Sequence, residues 1–125
     1  MLKTNRKGGG IDRIYEVATS NTIKRWEMVA ISSGKVANCS SGVPFGVAMQ
    51  DGEAGDFISV ALNLPWVEWE ADIKSADLAT TIPWVWLLVN DKNTLKKNGG
   101  SDTTIFVCTE KVWDKVYGYF TANLA

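Results

Sequence analysis

Apolar and polar residues alternate in short stretches along this chain, and the clearest case is WVEWEADI at 66–73. In an extended chain Val67, Trp69, Ala71 and Ile73 fall on one side and Glu68, Glu70 and Asp72 on the other, whereas a helix would scatter the carboxylates. The spacing predicts a strand with one apolar and one acidic face. IPWVWLLVN, 82–90, is apolar at successive positions, as in a strand buried on both sides or covered by a neighbouring subunit. Ile11–Val17 and TIKRWEMVAI, 22–31, are rich in strand formers, the second with a mixed first half and a buried second half. GVAM and FISVAL read as two strands joined by QDGEAGD, 50–56, a hairpin loop longer than the two-residue ideal.

Turn chemistry separates these stretches. SSG at 32–34 and again at 40–42 brackets KVANC, which has room for one short strand. DKNTLKKNGGSD, 91–102, reads as a polar loop, and TIFVCTEKVWDKVYGYFTA, 104–122, as two strands with a turn near Glu110 or Asp114. Only KSADLAT, 74–80, is suited to a helical turn. Many short strands between Gly- and Ser-rich turns predict an all-β fold, a small β-barrel or β-sandwich.

A length of 125 residues accommodates one hydrophobic core, and 46% hydrophobic with 22% charged residues is the composition of a folded domain. Gly8, Gly9 and Gly10 carry no side chains to pack and are costly to order. The organisation expected is a flexible N-terminal arm, 1–25, followed by a single β domain, 26–125. Charge follows the same division: residues 1–25 carry six basic and two acidic groups, 26–91 two and nine, and 92–125 five and three, giving +4, −7 and +2, which sum to the overall −1. A basic arm beside an acidic middle suits contact between neighbouring subunits.

Several classes are set aside by composition. A net charge of −1 offers no basic excess for phosphates, so nucleic acid is not an expected partner. The longest apolar run falls far short of the roughly 20 residues that cross a bilayer, and MLKTNRKGGG lacks the apolar core of a signal peptide, so a soluble protein made in the cytoplasm and without membrane contact is expected. Cys39 and Cys108 have no CxxC spacing and read as ordinary thiols. With no histidine, Ser-His and Cys-His nucleophile pairs are impossible, and no phosphate-binding loop is present. Asp51, Glu53 and Asp56 could offer oxygens to calcium, but their spacing departs from the EF-hand series and a solvated hairpin loop is the plainer reading.

Glu68, Glu70 and Asp72 beside Trp66 and Trp69 are reminiscent of a glycosidase or a sugar platform, yet glycosidases recruit carboxylates from separate elements into a cleft. We therefore expect no enzyme, no cofactor and no metal. Six tryptophans, Trp26, Trp66, Trp69, Trp84, Trp86 and Trp113, exceed what one small core requires. Burial, partly within the chain and partly between subunits, accounts for them, with glycan stacking on Trp66 or Trp69 as the alternative.

The succession W-x-M-V-A-I-x-S-G-K-V at 26–36, P-F-G-V-A-M at 44–49, a Gly- and acid-containing turn, and F-I-S-V-A-L at 57–62 resembles the small β-structured head-decoration (cement) proteins of tailed bacteriophages. Ser33, Gly34, Gly46, Val47, Ala48, Ala54, Gly55 and Asp56 carry the resemblance, with Gly46 and Gly55 expected to permit tight turns. The resemblance implies a virion protein on the outer surface of the capsid, a homo-oligomer with the trimer favoured, whose partner is the major capsid protein and whose role is to brace the head. No cofactor or active site is required. The residues expected at the intersubunit interface are Trp66, Trp69, Trp84 and Trp86, and those expected to touch the capsid are Arg6, Lys7 and Arg13. The alternative function is a glycan-binding module, free or displayed on a phage head.

Overall fold

The computed structural model describes residues 2–4, 10–81, 83–84, 86–98 and 105–121. Its strands run in the order β1 (Leu2–Thr4), β2 (Asp12–Glu16), β3 (Thr22–Ile23), β4 (Met28–Ser32), β5 (Lys35–Asn38), β6 (Gly46–Ala48), β7 (Gly52–Glu53), β8 (Phe57–Leu62), β9 (Trp69–Ile73), β10 (Trp86–Val89), β11 (Thr94–Lys97), β12 (Phe106–Val112) and β13 (Lys115–Phe120), with one 3-10 turn, Ser75–Thr80, after β9. The all-β expectation holds. Residues 12–16, inside the segment read as an arm, are a strand of the first sheet, and Leu2–Thr4 pairs with β9.

The first sheet has the order β2-β8-β6-β4-β5, and a parallel bridge from Val17 to Val36 draws its two edges together. In the second sheet β9-β11-β10-β12-β13 closes on itself, because β13 also pairs with β9. Closure leaves a five-stranded barrel without free edges except where one strand outruns its neighbour. The alternation holds over 69–73, where Trp69, Ala71 and Ile73 point into the barrel and Glu70 and Asp72 stay partly exposed, but Glu68, ahead of the strand, is buried.

Two cores result. Val17, Ile23, Val29, Val36, Ala48, Ile58 and Val60 fill the first sheet, whereas Met28, Cys39, Val47 and Ala61 join the second barrel's Trp69, Leu87, Phe106 and Phe120. Neighbours in sequence, such as Val47 and Ala48 or Val60 and Ala61, thus face different cores. That is why GVA is buried at every position: β6 lies in the wall between them. Lys92 fastens the junction, its carbonyl accepting from the Met28 N–H at 2.8 Å and its ammonium lying 3.2 Å from the buried Glu27 carboxylate.

Three local expectations change. TIKRWEMVAI is not one strand, since a turn over Lys24–Glu27 divides β3 from β4; Glu27 accepts the Lys24 N–H through Oε1 at 2.8 Å, and Trp26 takes φ 73°. The stretch 91–102, read as a loop, contains β11, whose only fully buried residue is Leu95. Gly46 is not in a turn. It lies within β6, where a Cβ would come within 2.3 Å of the Ala61 carbonyl oxygen, so close strand approach excludes a side chain. Gly34 and Gly55 do sit in turns at positive φ, and Ser33-Gly34 forms the two-residue β4–β5 hairpin loop.

The ion pair of Lys115 with Asp72 spans β13 and β9 where their register places the two residues opposite one another. Burial raises the Asp72 carboxyl, but hydrogen bonding and charge from Lys115 outweigh it and hold the carboxyl below the ordinary value. The same bond holds the Lys115 ammonium above its own. A lowered carboxyl stabilises the fold above the unfolded aspartate value of about 3.9 and loses that contribution as pH falls through the folded value. A raised lysine stabilises below about 10.4 and loses its contribution as pH climbs through the folded value. Both residues are partly exposed, so screening keeps the effect small. Asp72→Asn is expected to cost about 0.5–1 kcal/mol at pH 7, and urea melts at decreasing pH should show that difference closing below about pH 4.

Candidate functional site

The outward side chains of the barrel form a distinctive surface. Leu87, Phe106 and Phe120 stand opposite one another across β10, β12 and β13 and point inward, so the alternate row, Trp86, Val107 and Tyr119, points outward. The row ends at the residue before β9, where the Tyr119 hydroxyl donates to Glu68 Oε2 at 3.2 Å. Burial against the wall and the charge of Glu68, which also accepts that hydrogen bond, push the Tyr119 phenol up. Trp84 is fixed beside this row by its backbone N–H, which donates to the Cys108 carbonyl. Trp84 is 70% and Trp86 61% exposed. Two tryptophans and a tyrosine therefore share one wall of the barrel, the tyrosine hydroxyl held by the buried Glu68 carboxylate.

Backbone geometry singles out the same residue type. Trp26, Trp84 and Trp113 have φ of 73°, 68° and 58°, a region in which bulky side chains are outliers. Trp26 is explained within the chain, because its ring carries the Arg25 guanidinium 4.5 Å from the centroid and its N–H donates to the Ala48 carbonyl. Trp84 and Trp113 are strained and exposed at once. Trp113, 90% exposed, occupies the first position of the two-residue turn between β12 and β13. The sequence left open whether Trp113 is buried within the chain or between subunits; the turn VWDK between two strands leaves its ring no inward direction.

The expected interface residues divide. Trp84 and Trp86 are brought together on the wall. Trp66 is 52% exposed in the turn Leu64–Val67, two residues before Glu68. Trp69 cannot meet a neighbour. It is fully buried, its ring 6.1 Å from Phe120 in an edge-to-face contact, because the register of β9 turns it inward. For the same reason it offers no stacking surface to a sugar. Arg13 is exposed on β2, in the other sheet, and its guanidinium donates to the Asp12 carbonyl at 3.1 Å. Arg6 and Lys7 lie outside the described residues.

The remaining chemistry is structural. Asp51 accepts the Arg25 N–H and Asp56 the Glu53 N–H, so two of the three loop carboxylates shape the β6–β8 connection. Among the described residues no cluster of three or more potential metal ligands occurs. Cys39 and Cys108 are free and buried, and burial pushes both thiols up, away from the reactive thiolate. No described helix is long and apolar enough to cross a membrane.

No protein-family model and no curated protein matches the sequence. Among solved structures the chain is similar to the head fiber gp8.5 N base of bacteriophage phi29, with a TM-score of 0.62 at 16% identity, over 94% of this chain and 99% of that one. At that identity the similarity is one of fold, and it extends along nearly the whole chain.

Proposed function

We propose that the protein is a structural component of a phage virion that seats on the outside of the head as an oligomer and stabilises it, without catalysis and without a cofactor. The observation that carries this reading is the fold shared along nearly the whole chain with the base of a phage head fiber. The resemblance at 26–62 to head-decoration proteins supports the same class from sequence. Within this reading the wall of Trp84, Trp86, Val107 and Tyr119 is the contact between copies, a trimer being the favoured assembly. Large rigid aromatics held on a barrel lose little side-chain entropy on association and dominate interface energetics. The major capsid protein is the other partner, met by the basic residues at the start of the chain, including Arg6, Lys7 and Arg13.

Co-sedimentation with capsids of the source virus that lack the protein tests the proposal. Saturable binding at a fixed ratio to the capsid subunit is expected, and the ratio identifies the symmetry position. A glycan-binding role is the second reading, favoured by the exposed aromatic row of Trp86 and Tyr119, whose hydroxyl is held by Glu68. Absence of capsid binding together with a tryptophan fluorescence change in a sugar panel would replace the first reading by the second.

A further inference from the structure

β9 has one edge that its own barrel does not complete. β13 covers the other edge through four residue pairs, from Lys115 opposite Asp72 to Gly118 opposite Trp69. On the open edge β11 reaches only Asp72 and Ile73, running parallel. Among the described residues the segment Trp69–Ala71 on that edge is paired by β1 alone, in the antiparallel register Leu2 to Ala71, Lys3 to Glu70 and Thr4 to Trp69. Trp69 and Ala71 are locked in the core, so the slot is a rigid, preformed acceptor. Its backbone groups require a partner strand, because unpaired edges are costly and adhesive.

The donor of that strand is loosely tied to the fold by topology. Among the described residues β1 pairs with no strand but β9, whereas the next strand, β2, belongs to the first sheet. Seven residues, 5–11, separate them, three of them the glycines 8–10. Seven residues extend up to about 25 Å, so β1 can leave its own slot without displacing β2. Exchange keeps the same backbone hydrogen bonds and only changes which chain supplies them, so it costs little. The acidic face of β9 and the basic residues around β1 bias the arriving strand toward this edge.

We propose that in the assembled protein residues 2–4 of one copy fill the β9 slot of a neighbouring copy, so that strand exchange links the oligomer. The inference rests on the oligomeric reading above. Residues 3 and 70 stand opposite one another in an antiparallel pair, at a separation that a disulfide spans. Cys39 and Cys108 are buried, which leaves engineered thiols as the ones that oxidise.

The test is Lys3→Cys/Glu70→Cys in the full chain, oxidised and analysed unreduced, beside sedimentation of the same sample. The two single variants mixed before oxidation provide a second measurement that does not depend on the double variant folding. Exchange predicts covalently linked multiples of the chain in the first experiment and a linked dimer in the second. An oligomer in sedimentation that yields only internally closed single chains, or no engineered disulfide, overturns the exchange and leaves the oligomer standing. A monomer at every concentration overturns the oligomeric reading and the exchange with it.

Discussion

Replacing Trp84 by glycine and Trp86 by threonine is expected to abolish assembly while leaving the fold intact. Neither ring contributes much to the core, since both are largely exposed, and β10 is held by Leu87 and Val89, which point inward. Glycine at 84 also removes a left-handed conformation that costs a tryptophan about 1–2 kcal/mol, in part offset by the greater freedom of glycine in the unfolded chain. Threonine at 86 keeps a strand former opposite Val107. The thermal midpoint should therefore stay within a few degrees of the parent. Buried interface tryptophans commonly contribute 2 kcal/mol or more each, so losing both should lower the affinity between copies about 1,000-fold. Sedimentation velocity across a concentration series reads the effect. A variant that assembles like the parent would remove the wall from the interface and direct attention to Trp113 at the hairpin tip.

How much of this was legible in the chain depends on whether the informative contact is local. The strand at 69–73 could be read because every second residue is apolar and the barrel buries one face. β10 could be read because three successive apolar residues, Leu87, Leu88 and Val89, are all buried. The break between β3 and β4 was hidden, since the turn uses no glycine or proline and instead places Trp26 at positive φ. β11 was hidden because TLKK is polar except for Leu95, which alone reaches the core.

The site shows the same division. Trp86 is exposed as the alternation of β10 requires, but Trp84 lies in a turn at positive φ ahead of that strand, so no strand period places it. Val107, Tyr119 and Glu68 join them through pairings between distant segments, which no local pattern reports. Trp69 and Trp86 are equivalent as letters, and only register sends one inward and the other outward. Gly46 illustrates the same limit. Its presence in GVA was evident, but its reason, a carbonyl from β8 where a side chain would be, is a nonlocal contact.

The largest effect on folding is expected from Gly118→Ala. Gly118 lies in β13 between Cys108 on β12 and Trp69 on β9, facing the interior of the barrel. A Cβ there would fall 2.0 Å from the Val107 carbonyl oxygen and 2.8 Å from Phe106 Cε1. The nearer obstacle is backbone, which cannot rotate away. The farther one is a ring wedged edge-to-face against Phe120, with centroids 5.0 Å apart. A five-stranded barrel that encloses Trp69, Phe106 and Phe120 has space for three large rings because position 118 carries none. Overpacking of this kind costs about 3 kcal/mol or more, a large part of the 5–15 kcal/mol that holds an ordinary domain together. Urea unfolding should show the midpoint moving sharply downward with little change in slope. Adding Phe106→Leu relieves the ring contact alone, so it should not restore the parent midpoint. Restoration would mean that the side chain, not the carbonyl, sets the spacing of β12 and β13, and that the aromatic wall on their outer surface is positioned by the core beneath it.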